Sequence, residues 1–142
     1  MAEEREPLGL ALVVCDGIHT DPGTGKKTLL GLFSTVVGPQ FPLVLQQLFI
    51  YAAVTDCLGP TSFEIRIVDV NEERQPVFSG GGAIHCDDPL AVQDFVFYLA
   101  GATFPEPGEY RVQLHAGGSP VMERRLMAIL VQPETIRGVE YD

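Results

Sequence analysis

Hydrophobic and polar residues alternate along two stretches of the chain in the period-two pattern of a half-buried β-strand. The stretches are FEIRI at 63–67 and YRVQLH at 110–115. Because successive side chains of a strand point to opposite faces, each stretch would bury one face and leave the other in water. We therefore predict strands at Thr61–Val70 and Glu109–His115.

The other apolar runs are rich in Val, Ile, Phe and Tyr, and each ends at Gly, Pro, Asp or Asn. Runs of this kind are typical of all-β folds. A single sheet would leave an apolar face exposed, so two packed sheets are expected. The pattern predicts an all-β fold, a two-sheet antiparallel β-sandwich of about 7–8 strands, immunoglobulin-like or C2-like. The remaining strands are predicted at Leu8–Cys15, Thr28–Val37, Val44–Thr55, Val77–Ile84, Val92–Leu99 and Arg124–Val131.

One of these runs, PLVLQQLFIYAAV at 42–54, fits a helix nearly as well as a strand. Its apolar residues satisfy a period of two, but they also form a stripe at helical spacing. We favour a strand, because the neighbouring runs are strands, Pro42 precedes the apolar residues and a turn-forming DCLGPT segment follows them.

Three local motifs bear on how the sandwich is built. FPEPGEY at 104–110 resembles the corner of many sandwiches, where a tyrosine hydroxyl bonds to nearby backbone. The three glycines at 80–82 have no side chain to pack, which predicts a bulge or an edge in the strand Val77–Ile84. Arg124 and Arg125 would lie on opposite faces of the last strand, which suggests an edge or a partner contact, and we favour a solvated edge.

Composition indicates one globular domain with a core of its own. Hydrophobic residues make up 46% of the 142 residues and charged residues 20%, far from the signature of disorder. We predict a single domain at 8–132, with flexible tails at 1–7 and 133–142. The first residues, MAEEREP, do not resemble a secretory signal, and no run approaches the ~20 apolar residues of a membrane span. A cytoplasmic location is predicted.

Charge and cysteine content exclude several partners. With a net charge of −10 and only nine Lys and Arg, this acidic protein would repel phosphates, so neither nucleic acid nor an anionic membrane is an expected partner. The three cysteines form no C-x-x-C pair, so buried reduced thiols are expected rather than disulfides or a zinc ribbon.

The segment DPGTGKKT at 21–28 resembles a phosphate-binding Walker loop but fails its pattern. The motif G-x-x-x-x-G-K-[ST] needs glycine where Thr20 stands and a hydroxyl where Lys27 stands. The sequence after it is β-branched and interrupted by glycine, where the Walker architecture needs a helix. We predict a polar loop between two strands and no nucleotide site.

Two loops contain side chains that can bind metals, but neither has a ligand pattern. Imidazole suits zinc and clustered carboxylates suit calcium. On a strand, His85 and Cys86 would point to opposite faces, so they form no catalytic dyad. We predict no metal, no cofactor and no catalytic residue, because no G-x-S-x-G or H-E-x-x-H motif is present either. A metal site remains an alternative hypothesis, with candidate ligands Asp16, His19, Asp21, His85, Asp87 and Asp88.

Two longer segments carry a family resemblance. They are VVCDGIHTDPGTGKKTLLGLFSTVVGPQFP at 13–42, and FPEPGEYRVQLHAGG at 104–118 followed by RRLMAILV at 124–131. Together they resemble a bacterial family of small uncharacterised single-domain β-sandwich proteins, over about residues 8–131. The resemblance implies the fold and a bacterial origin, and it brings no activity or site residue with it.

Three functional hypotheses follow. The first is a non-enzymatic module for protein–protein interaction or scaffolding, whose partner is another protein or a second copy, with the strand Val77–Ile84 able to accept a partner strand. The second is a C2-like sandwich that binds calcium or another ligand through Asp16, Asp21, Asp87 and Asp88, provided that their loops converge. The third is an enzyme or sugar binder with an unrecognised pocket, against which the absence of Trp argues weakly.

Overall fold

The computed structural model describes residues 6–71 and 74–132, and these residues form strands and turns without any helix. No segment of this described part is therefore a helix that could span a membrane. The predicted tails fall largely outside it, at 1–5 and 133–142. The strands are β1 (Leu8–Thr20), β2 (Lys27–Leu32), β3 (Thr35–Gly38), β4 (Leu43–Thr55), β5 (Gly59–Asp69), β6 (Phe78–Cys86), β7 (Gln93–Phe104), β8 (Gly108–Ala116) and β9 (Ser119–Leu130).

The strands form two sheets. A four-stranded sheet has the order β2-β1-β4-β7, and a five-stranded sheet has the order β3-β9-β8-β5-β6. Neighbouring strands are antiparallel except for β3 and β9, which pair in parallel. The predicted all-β, two-sheet fold is confirmed, with nine strands in the described residues instead of about eight.

The additional strand comes from the predicted strand Thr28–Val37, which is two strands in different sheets. β2 pairs with β1, whereas β3 pairs with β9. Between them, Phe33 N donates to Val14 O of the four-stranded sheet (3.1 Å), and Ser34 O accepts from Met127 N of the five-stranded sheet (3.0 Å). The chain therefore changes sheets within two residues, and neither Gly nor Pro stands at Phe33 or Ser34 to mark the change in the sequence.

The core fills the space between the inner faces of the sheets. Its side chains come from β1, β4 and β7 on one side and from β3, β5, β6, β8 and β9 on the other. Burial of this apolar surface is the main force that holds the sheets together. The largest side chains that are less than 2% exposed include Phe104, Leu48, Ile50, Ile65, Ile67, Leu114 and Leu126.

The ambiguous run at 42–54 is a strand, as predicted. β4 pairs with β1 on one side and with β7 on the other. Its inner residues, such as Ile50, are fully buried, and Ala53 on the opposite face is only 4% exposed. Since both faces of β4 are apolar, its sequence lacks the alternation that identifies a half-exposed strand.

The tyrosine corner is confirmed where the chain crosses from β7 to β8. The hydroxyl of Tyr110 donates to Glu106 O (2.6 Å) and accepts from Glu106 N (3.3 Å). Its ring meets Phe104 edge-on, with 5.0 Å between centroids. Burial raises the pKa of the Tyr110 hydroxyl, so the hydroxyl keeps its proton and can donate at neutral pH. This contact fixes the crossing between the two sheets.

The glycines at 80–82 lie in an edge strand, as predicted, but they form no bulge. β6 pairs with β5 in continuous register from Gly59–Cys86 to Ile67–Phe78. A β-carbon at Gly81 would collide with the carbonyl oxygen of Phe63, whereas one at Gly82 would have no neighbouring atom within 4 Å. Glycine is therefore required at Gly81 for close approach of the two backbones, and of the two predicted alternatives, a bulge or an edge, the structure has the edge.

The two adjacent arginines of β9 point to opposite faces, as expected, and they precede the part of β9 that pairs with β3. Arg124 Nη1 donates to Leu12 O of β1 (2.7 Å) and so joins the two sheets. Arg125 lies on the outer face, where Nε contacts Glu109 Oε2 at 3.2 Å. β9 lies between β3 and β8, but β3 pairs only with Met127–Leu130, so in the described chain no strand pairs with the β3 side of β9 at the two arginines.

Candidate functional site

The sequence-predicted metal ligands are distributed over both sheets. Asp16 and His19 lie on β1 and Asp21 in the turn after it, whereas His85 lies on β6. Asp87 and Asp88 follow His85 in the loop that leads to β7. Within residues 6–71 and 74–132, no three His, Cys, Asp or Glu side chains form a group that could hold a metal ion.

The Asp21 carboxylate is used to shape the β1–β2 turn. Its Oδ2 accepts from Thr24 N (2.8 Å), Thr24 Oγ1 (2.9 Å) and Gly23 N (3.1 Å). The hydrogen bond from the Thr24 hydroxyl is the main reason that the pKa of Asp21 is lowered. DPGTGKKT is therefore a hairpin turn followed by the strand β2, and it lacks the helix that a Walker loop needs.

The second candidate cluster is also held by local contacts. His85 Nε2 lies 3.3 Å from Asp87 Oδ1, and both side chains are exposed. Asp88 Oδ1 accepts from Leu90 N (2.9 Å), which is a local turn contact. His85 is exposed whereas Cys86 is buried, so the two residues point to opposite faces, as predicted.

The three cysteines are free and buried, as expected. Cys57 lies beside Cys86, and burial, together with the neighbouring Cys86 thiol, raises the pKa of Cys57 to about 11. Since the thiolate is the nucleophilic form, a thiol with this pKa is unreactive at neutral pH. Cys57 and Cys86 therefore contribute to the core between the sheets.

Three surface depressions measure about 270, 230 and 180 Å³. These volumes lie below the roughly 300–1,000 Å³ of most small-molecule sites. In the smallest depression, Arg74 pairs with Glu106 (2.6 Å) and with Asp69 (3.7 Å). Among the described residues that line it, the carboxylates of Asp69, Glu106 and Glu109 outnumber the single cation.

The free edge of β6 offers a different kind of site, made of backbone. On the side of β5 that pairs with β8, Gly117 N donates to Ser62 O (2.8 Å). This hydrogen bond lies next to the register pair Phe63–Ala116. In an antiparallel ladder this hydrogen bond flanks a non-hydrogen-bonded pair. The N–H and C=O of Phe63 therefore point away from β8 and towards Gly82 of β6, its partner in register.

The same alternation fixes the direction of the β6 backbone. Gly82 and the other even-numbered residues of β6 bond to β5. The odd-numbered residues Ser79, Gly81 and Ala83 therefore direct their N–H and C=O groups away from the sheet. In the described chain no strand pairs with β6 on this side. The edge thus presents a row of donors and acceptors to a further strand. The sequence indicated an edge here, but the direction of each backbone group could be assigned only from the strand register.

β6 also lacks the features by which proteins usually protect an edge. Its segment FSGGGAI contains no charged residue and no proline, although Lys, Pro, bulges and short strands are the usual protection. The other edges carry such features. β3 has four residues and β2 has six, while β7 contains Asp94 and a positive-φ glycine, Gly101 (φ 76°).

The chain was compared with curated proteins and with solved structures. No curated protein matches it. Structures of a β-glucosidase from Listeria innocua, in complexes with glucose and with isofagomine, align at 11% identity with TM-scores of 0.46 and 0.45. These alignments cover 90% of this chain but only 16% and 17% of the β-glucosidase chains, so the chain spans a small part of their length.

The profile of a family of unknown function matches residues 10–129. The resemblance to an uncharacterised family is thereby confirmed, whereas a bacterial origin stays a prediction. The chain belongs to DUF6941, a family of unknown function.

Proposed function

We propose that this protein is a non-enzymatic interaction module that joins another polypeptide by strand addition to the free edge of β6. The observation that carries the proposal is the uncharged, glycine-rich edge at 78–84, whose outward backbone groups have no strand beside them in the described residues. Strand addition takes its affinity from main-chain hydrogen bonds, and such an edge supplies them.

The small side chains of β6 make its backbone accessible. Gly81 and Ala83 have little or no side chain, and Ser79 directs its hydroxyl back to Glu64 Oε2 of β5 (2.9 Å). A partner strand can approach these residues without displacing a bulky group. Each added hydrogen bond contributes about 0.5–1.5 kcal/mol net, so several bonds along the edge would support specific binding.

The chemistry of the remaining residues supports a role without catalysis. Asp21 and Asp88 are engaged in turns, and Cys57 stays protonated because its pKa is raised to about 11. A cytoplasmic location accords with the free thiols of the neighbouring Cys57 and Cys86, since reducing compartments keep such pairs unoxidised.

The test is a Ser79→Pro variant, with Ser79→Ala as its control. Proline removes the outward N–H and adds a ring at the edge, while alanine removes only the hydroxyl that bonds to Glu64. Tagged protein captures its partners from a lysate of its own cells, and mass spectrometry identifies them.

A partner that the wild type and Ser79→Ala retain, and that Ser79→Pro loses, would support strand addition at β6. That partner can be a foreign protein or an untagged second copy. If all three proteins capture the same partners equally, β6 is not the binding edge and the proposal is wrong. Melting curves of the purified variants establish that each is folded.

A further inference from the structure

We infer that the strand added to β6 is β6 of a second copy, paired antiparallel about Gly82, so that two five-stranded sheets become one continuous sheet. The inference rests on the proposed function and names its partner. Three features of β6 carry it: the register of the outward backbone groups, the sizes of the side chains and the position of the charges.

The first feature is the backbone register. Ser79, Gly81 and Ala83 present their N–H and C=O groups at the free edge. A twofold axis at Gly82 sets Gly81 against Ala83 of the second copy, and it sets Ser79 against His85. All of these residues have outward backbone groups, as the hydrogen-bonded pairs of an antiparallel ladder require. The pairing is isologous, the commonest way in which identical chains associate.

The second feature is complementary side-chain size. On the inward side, β6 carries Phe78, Gly80, Gly82, Ile84 and Cys86 in order. About the Gly82 axis, each large side chain lies beside a small one of the second copy: Ile84 beside Gly80, and Phe78 beside Cys86. The two Gly82 residues form a non-hydrogen-bonded pair, in which the Cα atoms approach to roughly 4.5 Å.

Moving the axis destroys this match. An axis at Gly81 would set Phe78 against Ile84, two large residues, and would set Gly80 against Gly82, leaving a gap. An axis at Ala83 would instead set the apolar Phe78 against the charged Asp88. The axis at Gly82 therefore gives the best fit of the three.

The third feature is the distribution of charge. The chain carries a net charge of −10, but 78–84 contains no carboxylate. The nearest acids along the strand, Asp87 and Asp88, would lie opposite the uncharged Val77 and Pro76 of the second copy. Along 76–88 this register thus sets no carboxylate directly opposite another, and the long-range repulsion between two acidic chains is screened by salt over ~10 Å at 0.1 M. Salt should therefore strengthen the association, whereas it would weaken binding of a basic partner.

Sedimentation equilibrium of the purified full chain tests the inference at low and high salt. We expect wild type to associate to twice its monomer mass, more tightly at high salt. Ala83→Pro removes an outward N–H from both copies at once, so its association should weaken at least about tenfold. Proline is tolerable at this edge because the residue before it is Gly82. The control Ala83→Ser keeps the N–H and should associate like wild type.

Cross-linking of Gly82→Cys tests the axis independently of proline. A β-carbon at Gly82 meets no atom within 4 Å in the single chain, so the variant should fold. In the dimer the two introduced thiols face each other, and oxidised glutathione should join them with release of two molecules of reduced glutathione. We expect a reducible dimer on a gel for this variant, and none for wild type, whose cysteines are buried.

Each outcome bears on a different part of the inference. A wild type that stays monomeric, or an Ala83→Pro variant that associates like wild type, overturns it. A dimer without the Gly82→Cys cross-link contradicts the Gly82 axis. If wild type is monomeric but a foreign protein is captured by wild type and lost by Ser79→Pro, the proposed function holds and the second copy is not the partner.

Discussion

The outer faces of the two sheets differ in chemistry. On the five-stranded sheet, charged residues of β8 and β9 form a network in which Arg111 contacts Glu109 and Glu123 at 2.6 Å, and Arg125 contacts Glu109 at 3.2 Å. On the four-stranded sheet, the rings of Phe49 and Tyr98 pack at an angle of 43° with 5.0 Å between their centroids. The outer face of the five-stranded sheet is charged, whereas that of the four-stranded sheet is largely apolar.

The β1–β2 hairpin explains why the apolar outer face is partly buried. Lys27, near the tip of the hairpin, reaches Asp94 at the start of β7 (3.3 Å), and Tyr51 Oη donates to the same carboxylate (3.0 Å). The hairpin thus returns over the outer face of its own sheet. Cys15 and Ala53, on that face, are 0% and 4% exposed. The β1–β2 hairpin consequently covers part of the outer face of the four-stranded sheet.

The difference between the two outer faces predicts the largest loss of stability for a charge that is introduced at a buried position. Cys15→Asp should lower the free energy of unfolding by about 3–5 kcal/mol, because a carboxylate would be desolvated under the hairpin without a cation in place to pair with it. Thr35→Asp introduces the same group on the exposed outer face of β3 and should cost less than about 1 kcal/mol. Urea denaturation of both variants measures the two costs. Equal losses would show that the hairpin does not shield this face.

A smaller effect is expected at the crossing between the sheets. Tyr110→Phe removes the hydroxyl that bonds to both backbone groups of Glu106, and we expect a loss of about 1–3 kcal/mol in unfolding free energy. The control is Tyr98→Phe, because Tyr98 lies on the outer face and is 55% exposed, so its change should stay within about 0.5 kcal/mol. Thermal and urea unfolding of the two variants give the comparison. A Tyr110→Phe loss no larger than the control would mean that the corner does not stabilise the crossing.

The contrast between the faces also explains which strands the sequence could predict. β5 and β8 have one face in water, so their alternation is visible in FEIRI and YRVQLH. β4 has apolar residues on both faces, so it could be predicted as a strand only from the runs and turn residues that flank it in the sequence. The division of Thr28–Val37 into β2 and β3 was not predicted, because Phe33 and Ser34 change sheets without Gly or Pro between them.

The candidate site was predictable only in part. Three consecutive glycines indicated an edge, since a paired central strand needs side chains to pack. The outward direction of Ser79, Gly81 and Ala83 follows from the pairing of β5 with both of its neighbours, which the sequence does not contain. The acidic loops were visible as ligand-rich segments, but the use of Asp21 in a turn depends on the folded backbone.

The smallest effect is expected in the charged network of the five-stranded sheet. The pKa of Glu109 is lowered mainly by the hydrogen bond from Arg111, and that of Glu123 by hydrogen bonds from Gln113 and then Arg111. A carboxyl with a lowered pKa in the folded state stabilises the fold above its unfolded pKa of about 4.3, and this contribution is lost as the pH falls through the folded pKa. Because water reaches both side chains, which are 26% exposed for Glu109 and 43% exposed for Glu123, the effect is small and weakens with salt.

Arg111→Gln should therefore flatten the decline in unfolding free energy below about pH 4, while leaving the decline due to Asp21 in place. Arg66→Gln is the matched control, because Arg66 lies on the same outer face, opposite Gln113 in register. Urea denaturation across the acid range, at low salt, compares the slopes. If Arg111→Gln and wild type decline in parallel, the network does not contribute to stability, and the charged face serves only to keep its sheet in water.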